Sequence, residues 1–375
     1  MVTVILRRGG IRLMSLLPAL FFVSLAIAPS TAVKPTDIGR TRGSDRATSP
    51  AFPLWLSNVV TPITVRRSTR DRRMKMGRLR RSLPTPAPLT PFHGSVVARE
   101  GMWSPTGRLV RGEAAIYKTT LVPPGGEQVA GIAWMDTRLL SARLYSGSIS
   151  PGGGPFRFTA PIEPAQAASL VAAFNGGFAM KVARGGYYTE GRMIDPLLPG
   201  AASLVIYADG SVKVGVWGKN FKMTPSVVAV RQNLAPLVEN GRPTSLAASP
   251  NWQIWGATCG ATSCAGAVPG VEHQWRSGVG VTADGALVYC AGPALDPMQL
   301  AQLLVRAGVV RGMQLDINPA WPDFTAYDPS IPGGLAAPSN GSKLVSTTVQ
   351  GPWTFFEPWW ARDFITMSER LAPRG

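Results

Sequence analysis

Histidine is almost missing from this chain: His93 and His273 are the only two in 375 residues. A zinc centre built on several histidines and a Ser-His-Asp triad are therefore poorly supported. His273, beside Glu272, keeps the option of acting alone as a base. The plainer reading is a surface loop, since Gly270 and Gln274 flank it. Cysteine is scarce too. Cys259 and Cys264 bracket Gly-Ala-Thr-Ser, and Cys290 ends an apolar run. One Cys-x4-Cys pair without a second ligand pair does not complete a zinc site, and no metal or other cofactor is expected. In an exported chain the pair is expected to oxidise into a small loop, with Cys290 left as a buried thiol. Acidic residues are outnumbered, 21 Asp and Glu against 38 Lys and Arg, for a net charge of +17. Nine of the basic residues fall within 66–81, opposed only by Asp71 and with no aromatic among them. Stacking on nucleobases is not offered there, so no specific nucleic-acid partner is expected. Such a block is read as disordered, suited to anionic envelope polymers or a membrane surface.

Long apolar runs are absent beyond the N-terminus. There Arg7, Arg8 and Arg12 precede Leu13 to Ala28, which is broken only by Ser15, Pro18 and Ser24. This reads as an export signal. Pro29 opposes cleavage after Ala28, and Ser30-Thr31-Ala32 is the better site. Left uncut, the run is barely long enough for a membrane anchor, which takes roughly 17–25 residues. Either way the chain is expected to be secreted or anchored on the outer side of the cytoplasmic membrane. The resulting division is 1–32 signal or anchor, 33–92 disordered Pro- and Arg-rich spacer, and 93–375 one folded domain. A hydrophobic content of 45% against 16% charged residues can furnish a sizeable core.

Strand signals dominate the domain. Ala202 to Tyr207 leads through Ala208-Asp209-Gly210 into Ser211 to Trp217, and Gly278 to Thr282 through Ala283-Asp284-Gly285 into Ala286 to Cys290. Asp-Gly between β-rich runs predicts hairpins, with Asp209 and Asp284 as turn formers. One helix is clear: Asp296 as N-cap, Pro297 in the first turn, Leu300, Leu303 and Leu304 on one face, Gly308 as the stop. A second short helix is expected from Pro164 to Ser169. The fold class is α+β, a mixed, sheet-rich single domain with few helices.

Each helix leads into a buried strand that stops at a small polar residue. The first is Leu170 to Phe174, ending in Asn175-Gly176-Gly177-Phe178; the second is Val309 to Leu315, ending in Asp316-Ile317-Asn318. Residues at the ends of buried strands are held rigidly and can face a cleft. Gly176 and Gly177 would let a ligand approach the backbone, unless the segment is only a tight turn.

These segments resemble the phosphodiester glycosidase family, which includes the enzyme that uncovers mannose 6-phosphate by removing N-acetylglucosamine from a phosphodiester. Phe174 to Phe178, the hairpin from Trp275 through Gly285, and the helix-strand unit ending in Leu315-Asp316 carry the resemblance, over about residues 125 to 330. It implies a secreted hydrolase of glycosyl bonds, with a sugar-1-phosphodiester as the first substrate. One departure stands out. The family commonly follows Leu-Asp with glycines and a serine, whose N–H groups suit an anion. Here Ile317-Asn318-Pro319-Ala320-Trp321 follow, and Pro319 has no N–H.

Cleaving a sugar phosphodiester needs a cation for the leaving phosphate and a carboxylate to activate water or attack the anomeric carbon. Arg276, opening a predicted strand beside glycines, is the candidate cation; Asp316 is the candidate carboxylate. Asn175 is expected to bind sugar hydroxyls, with Gly176, Gly177 and Asn318 beside it. Glu190 and Arg192 read first as a hairpin turn, and alternatively as a second carboxylate and guanidinium. Trp321, close to Asp316, is the candidate for stacking on a sugar ring. Without phosphate the substrate would be an ordinary glycan, needing Asp316 with Glu190 or Asp323. The remaining alternative is a non-catalytic envelope protein that binds glycans.

Overall fold

β-branched and aromatic residues in short runs, punctuated by Gly, Pro and Asp, make strands the dominant regular structure of the domain. The computed structural model describes residues 82–249, 252–256, 273–331 and 333–371. All lie within the unit Arg66–Gly375. The export segment, the basic block 66–81 and the Cys259–Cys264 pair fall outside the described residues.

Three sheets make the body, and all their ladder pairings are antiparallel. The largest has eight strands, with Gln274–Thr282 between Leu287–Leu295 and Val309–Gln314 near its middle. A five-stranded sheet carries Leu170–Asn175 between Phe324–Tyr327 and Phe364–Glu369. The other five-stranded sheet holds the hairpin Ala202–Tyr207 and Val212–Val216 beside Val227–Gln232. The main core draws Val279, Tyr289 and Met313 from the first sheet, Phe174, Phe324 and Ile365 from the second, and Leu204 and Val214 from the third. The opposite face of the large sheet, with Ile132, Val288 and Cys290, is covered by Leu300, Leu303 and Leu304 of the helix Pro297–Arg306.

That helix begins as its sequence requires. Asp296 Oδ1 accepts from the Gln299 N–H at 2.6 Å, and Gln299 Oε1 accepts from the Asp296 N–H at 3.0 Å, a reciprocal cap. Gly308, at φ +86°, ends it. Both Asp-Gly segments are hairpin turns, with Asp209 Oδ1 accepting from the Ser211 N–H and Asp284 Oδ1 from the Thr282 hydroxyl.

Two expectations change. Among the described residues there are three α-helices, and Pro164–Ala167 and Met180–Ala183 are four residues each. The fold is therefore mostly β: the sheet-rich, helix-poor character stands, and the α+β label fits only loosely. The packed chain also starts before residue 93. Leu83 is buried against Trp134 and its neighbours, and its N–H donates to Asp136 Oδ2 at 2.6 Å. Among the described residues no helix is long and apolar enough to cross a membrane.

Candidate functional site

The two polar strand ends meet. The ladder between Gln274–Thr282 and Val309–Gln314 runs on through Leu315 N–H to Ser277 O (2.7 Å) and Ser277 N–H to Asp316 O (2.9 Å). The Ser277 hydroxyl accepts from the Asp316 N–H and from Asn175 Nδ2, both at 3.1 Å, and donates to Asp316 O. Asn175 also donates to Gly176 O at 2.8 Å. Its Oδ1 accepts from Tyr289 Oη at 2.7 Å and from the Asp323 N–H at 3.1 Å. Four partners use both amide hydrogens and both acceptor directions. Asn175 joins the two sheets rather than presenting its amide to a sugar, which corrects the role expected for it.

Gly176 and Gly177 are small for a related reason. A Cβ on Gly176 would lie 2.0 Å from Asp363 Oδ2, and one on Gly177 would lie 2.5 Å from Asn233 Oδ1 and 3.0 Å from Arg231 Cζ. The room they leave is filled by the chain's own polar groups, not by open space for a ligand. Arg231 grips Asp363 with two bonds of 2.8 and 3.1 Å, and also donates to the carbonyls of Gln232 and Phe178. Asn233 accepts from the Phe178 N–H and donates to the carbonyls of Gln314 and Leu315, each at 2.9 Å. Removing one partner from such a buried pair leaves an uncompensated charge and is strongly destabilising.

Asp316 sits beside this network with its side chain only 2% exposed. Oδ1 accepts from the N–H groups of Ile317 (2.8 Å) and Asn318 (3.0 Å), and Oδ2 accepts from Arg362 Nη2 at 2.6 Å. Burial pushes its pKa up to about 6, against the lowering pull of Arg362, the two N–H groups and Arg231. Arg362 donates as well to Gly177 O at 3.0 Å, and its buried Nε has no partner among the described residues. Its guanidinium lies 4.9 Å from the centre of the Trp321 ring, which is half-buried. Asp316, Arg362 and Trp321 thus stand in a row from the interior to the surface. Asn318 is exposed and closes a local turn, its Oδ1 accepting from the Ala320 N–H at 3.0 Å. Ile317, where a glycine was looked for, is buried in the core beneath the helix.

Arg276 does not join this row. Successive strand residues face opposite sides: Ser277 faces Asn175, while Arg276 lies on the helix side with Gly278, whose Cβ would touch Leu300 and Leu304. There Arg276 donates to Leu295 O at 2.7 Å and to Gln314 Oε1 at 2.8 Å, and Gln314 in turn donates to Trp255 O. Burial lowers its pKa to about 10, with Asp296 opposing. It is a brace beneath the sheet, which corrects its placement as the phosphate cation.

Glu190 and Arg192 are not in the row either. Glu190, at a positive φ of 51°, accepts from the N–H groups of Arg157 and Phe158, both at 2.9 Å. It lines a separate cavity of about 270 Å³ with Arg143, Phe158 and Tyr207. Arg192 donates to the carbonyls of Gly153 and Pro155. The pair staples the loop before Thr159, which is the hairpin-turn reading. Asp323 is nearer: its N–H reaches Asn175, its carboxylate is fully buried, Oδ1 accepts from the Thr325 hydroxyl, and Oδ2 has no hydrogen-bond partner among the described residues. Burial raises its pKa to about 7. Cys290 is a buried free thiol whose pKa burial raises. Among the described residues no three His, Cys, Asp or Glu side chains gather to hold a metal ion.

Arg231, Asn233, Arg362 and Asp363 escaped the sequence reading. The signal was present for two of them. Arg231-Gln232-Asn233 ends the apolar strand Val227–Gln232 in the same way that Asp316 ends its own.

No protein-family model matches the chain, and no curated protein matches it. Among solved structures it is similar to the catalytic domain of zebrafish N-acetylglucosamine-1-phosphodiester alpha-N-acetylglucosaminidase, auto-inhibited by its pro-peptide. The identity is 14%, over 77% of this chain and 95% of that one, with a TM-score of 0.41. It is also similar to a hypothetical protein from Synechocystis, at 11% identity over 71% and 64% of the two chains, with a TM-score of 0.36. A Burkholderia pseudomallei protein designated exported matches at 12% identity over 64% and 74%, with a TM-score of 0.35. These are distant structural relationships, and the chemistry of the site rests on the side chains described above.

Proposed function

We propose that this chain hydrolyses glycosyl bonds, with Asp316 as the working carboxylate and Arg362, in place of Arg276, as the cation that meets an anionic leaving group. The observation that carries this is the asymmetry of Asp316. Two backbone N–H groups fix Oδ1, while Oδ2 is held by a single guanidinium next to a partly exposed tryptophan. A carboxylate fixed on one oxygen and poised near pH 6 suits the removal of a proton from water.

With a sugar-1-phosphodiester, the phosphate competes with Asp316 for the Arg362 guanidinium. Release of Oδ2 lets it take a proton from water as the water oxygen attacks the anomeric carbon. The phosphate leaves with the electrons of the broken bond, and Arg362 receives its charge. Trp321 offers a face to the sugar. Export through 1–32, a spacer ending near Leu83, and attachment to anionic envelope material through 66–81 belong to the same reading. Incubating the full chain with sugar-1-phosphodiesters and with aryl glycosides tests it: sugar should be released from the phosphodiesters first.

A second reading, a glycan-binding protein without turnover, is favoured by one observation. The Asp316 side chain is 98% shielded and already holds three bonds. Saturable glycan binding with no sugar released from either substrate class would select it.

A further inference from the structure

Next to the row of Asp316, Arg362 and Trp321 lies a cavity of about 320 Å³, lined by Trp321, Gln350, Trp353, Glu357, Trp359 and Trp360 among others. Pockets for small ligands begin near about 300 Å³. Four indoles around one opening are unusual in themselves, and two are turned to solvent: Trp353 is 49% exposed and Trp359 69%. Trp360 is buried, edge-on to Trp321 at 5.3 Å between ring centres, and its Nε1–H has no acceptor among the described residues. A buried indole N–H normally finds one.

The frame is rigid. Segment 359–361 is tied down by Ser148 N–H to Trp360 O (2.9 Å), Ser150 N–H to Ala361 O (2.9 Å) and Ser148 Oγ to Trp359 O (3.0 Å). Gln350 Nε2 reaches across to Ala320 O at 2.8 Å, so the indole loop and the loop after Asp316 are joined. Gly351 lets Trp353 lie over its backbone; a Cβ there would be 2.2 Å from that ring. Aromatic faces, the Gln350 amide and the Glu357 carboxylate are together the complement of a sugar ring. Its C–H faces are apolar, and its hydroxyls both donate and accept. Glu357 disfavours an anionic occupant at this end.

We propose that this cleft is a subsite for the pyranose rings of a neutral oligosaccharide, placed beyond the ring acted on at Asp316. The protein's substrate is then a glycan chain rather than a single sugar. The proposal rests on the glycosyl-bond reading for the direction of the chain, but the binding it asserts is measured apart from turnover.

Calorimetry on the full chain carrying Asp316→Asn would use tetrasaccharides of N-acetylglucosamine, glucose, mannose and galactose, the four monosaccharides, and poly(glycerol phosphate). At least one tetrasaccharide should bind about tenfold or more tightly than its monosaccharide. Trp353→Ala and Trp359→Ala, both surface changes, should each weaken it about five- to tenfold, with Trp359→Tyr partly restoring it. This result upholds the subsite even if the wild-type chain releases no sugar, in which case the hydrolase reading fails alone. The subsite is overturned if no tetrasaccharide is preferred, if the tryptophan variants bind as the parent does, or if poly(glycerol phosphate) is the ligand that Trp359→Ala loses. Sugar release by the wild-type chain alongside any of these would leave the hydrolase reading standing.

Discussion

Arg362 Nη2 donates to Asp316 Oδ2 at 2.6 Å, yet burial still holds the Asp316 pKa near 6. The two residues are 46 apart in sequence and approach from different sheets, Asp316 after Val309–Gln314 and Arg362 before Phe364–Glu369. The guanidinium lowers the carboxylate's pKa, so its removal raises that pKa further.

A pH–rate profile reads this directly. Turnover that needs ionised Asp316 should fall on the acid side with a midpoint near pH 6. Arg362→Gln should move that midpoint to higher pH and lower the plateau. Arg362→Lys should keep the midpoint closer to wild type but lose rate, because a point charge replaces a fork. An unmoved midpoint in Arg362→Gln would separate Asp316 from the titration.

Stability should carry the same sign. For both Asp316 and Asp323, burial raises the folded-state pKa, to about 6 and about 7, above the unfolded value. The folded state therefore binds more protons between the two values, and these groups make stability decline as pH rises through that window. Asp323, whose pKa burial raises further, is the larger case. Asp323→Asn should flatten the decline between about pH 4 and pH 7 and stabilise the protein at pH 8 by roughly 1–3 kcal/mol in urea titrations. An unchanged slope would mean that Asp323 does not titrate there.

Gly176→Ala should cost more than a helix glycine ever gains. The added Cβ meets Asp363 Oδ2 at 2.0 Å and displaces the carboxylate that Arg231 holds. Loss of about 3 kcal/mol or more is expected, as for other broken buried ion pairs. A variant that melts like the wild type would contradict the close approach.

Arg276→Lys should lose stability, by roughly 1–3 kcal/mol, because one ammonium cannot serve Leu295 O and Gln314 Oε1 as the fork does. Its folded fraction should turn over at near the wild-type rate. Lost turnover with stability intact would return Arg276 to the chemistry.

Deletion of 34–80 should leave the fold unchanged and weaken retention on anionic envelope material at low salt. Leu83→Ala should destabilise by about 2–3 kcal/mol, since Leu83 is buried. Unfolding of the deletion variant would show that the spacer belongs to the domain.

Much of the fold was legible because it is local. Asp296, Pro297 and Gly308 bound a helix by capping chemistry within one turn of chain, and Asp209 and Asp284 make their turns with residues two away. The polar strand ends were legible too: Asn175 ends Leu170–Asn175, and Asp316 follows Val309–Gln314. The partners were not. Arg231 and Asp363 are 132 residues apart, and nothing in either neighbourhood names the other. Arg276 was misplaced by one strand position, which at a period of two means the wrong face of the sheet. Asn175 was read as a ligand contact because an amide is versatile; that versatility is used up inside the protein. Four of the indoles that line one cleft lie in two separate segments, Trp321 and 353–360, and only the fold brings them together.

The most direct test is sugar release by Asp316→Asn and wild-type chains, measured on the sugar-1-phosphodiesters and aryl glycosides, with folding checked by circular dichroism. The amide matches the carboxylate in size and can still accept from the Ile317 and Asn318 N–H groups, so the fold should hold. It cannot take up a proton or attack as an anion. The prediction is a folded variant with turnover lowered at least about a thousandfold, in the range of general-base removal. Near-normal release by a folded Asp316→Asn chain would contradict the assignment of Asp316 as the working carboxylate.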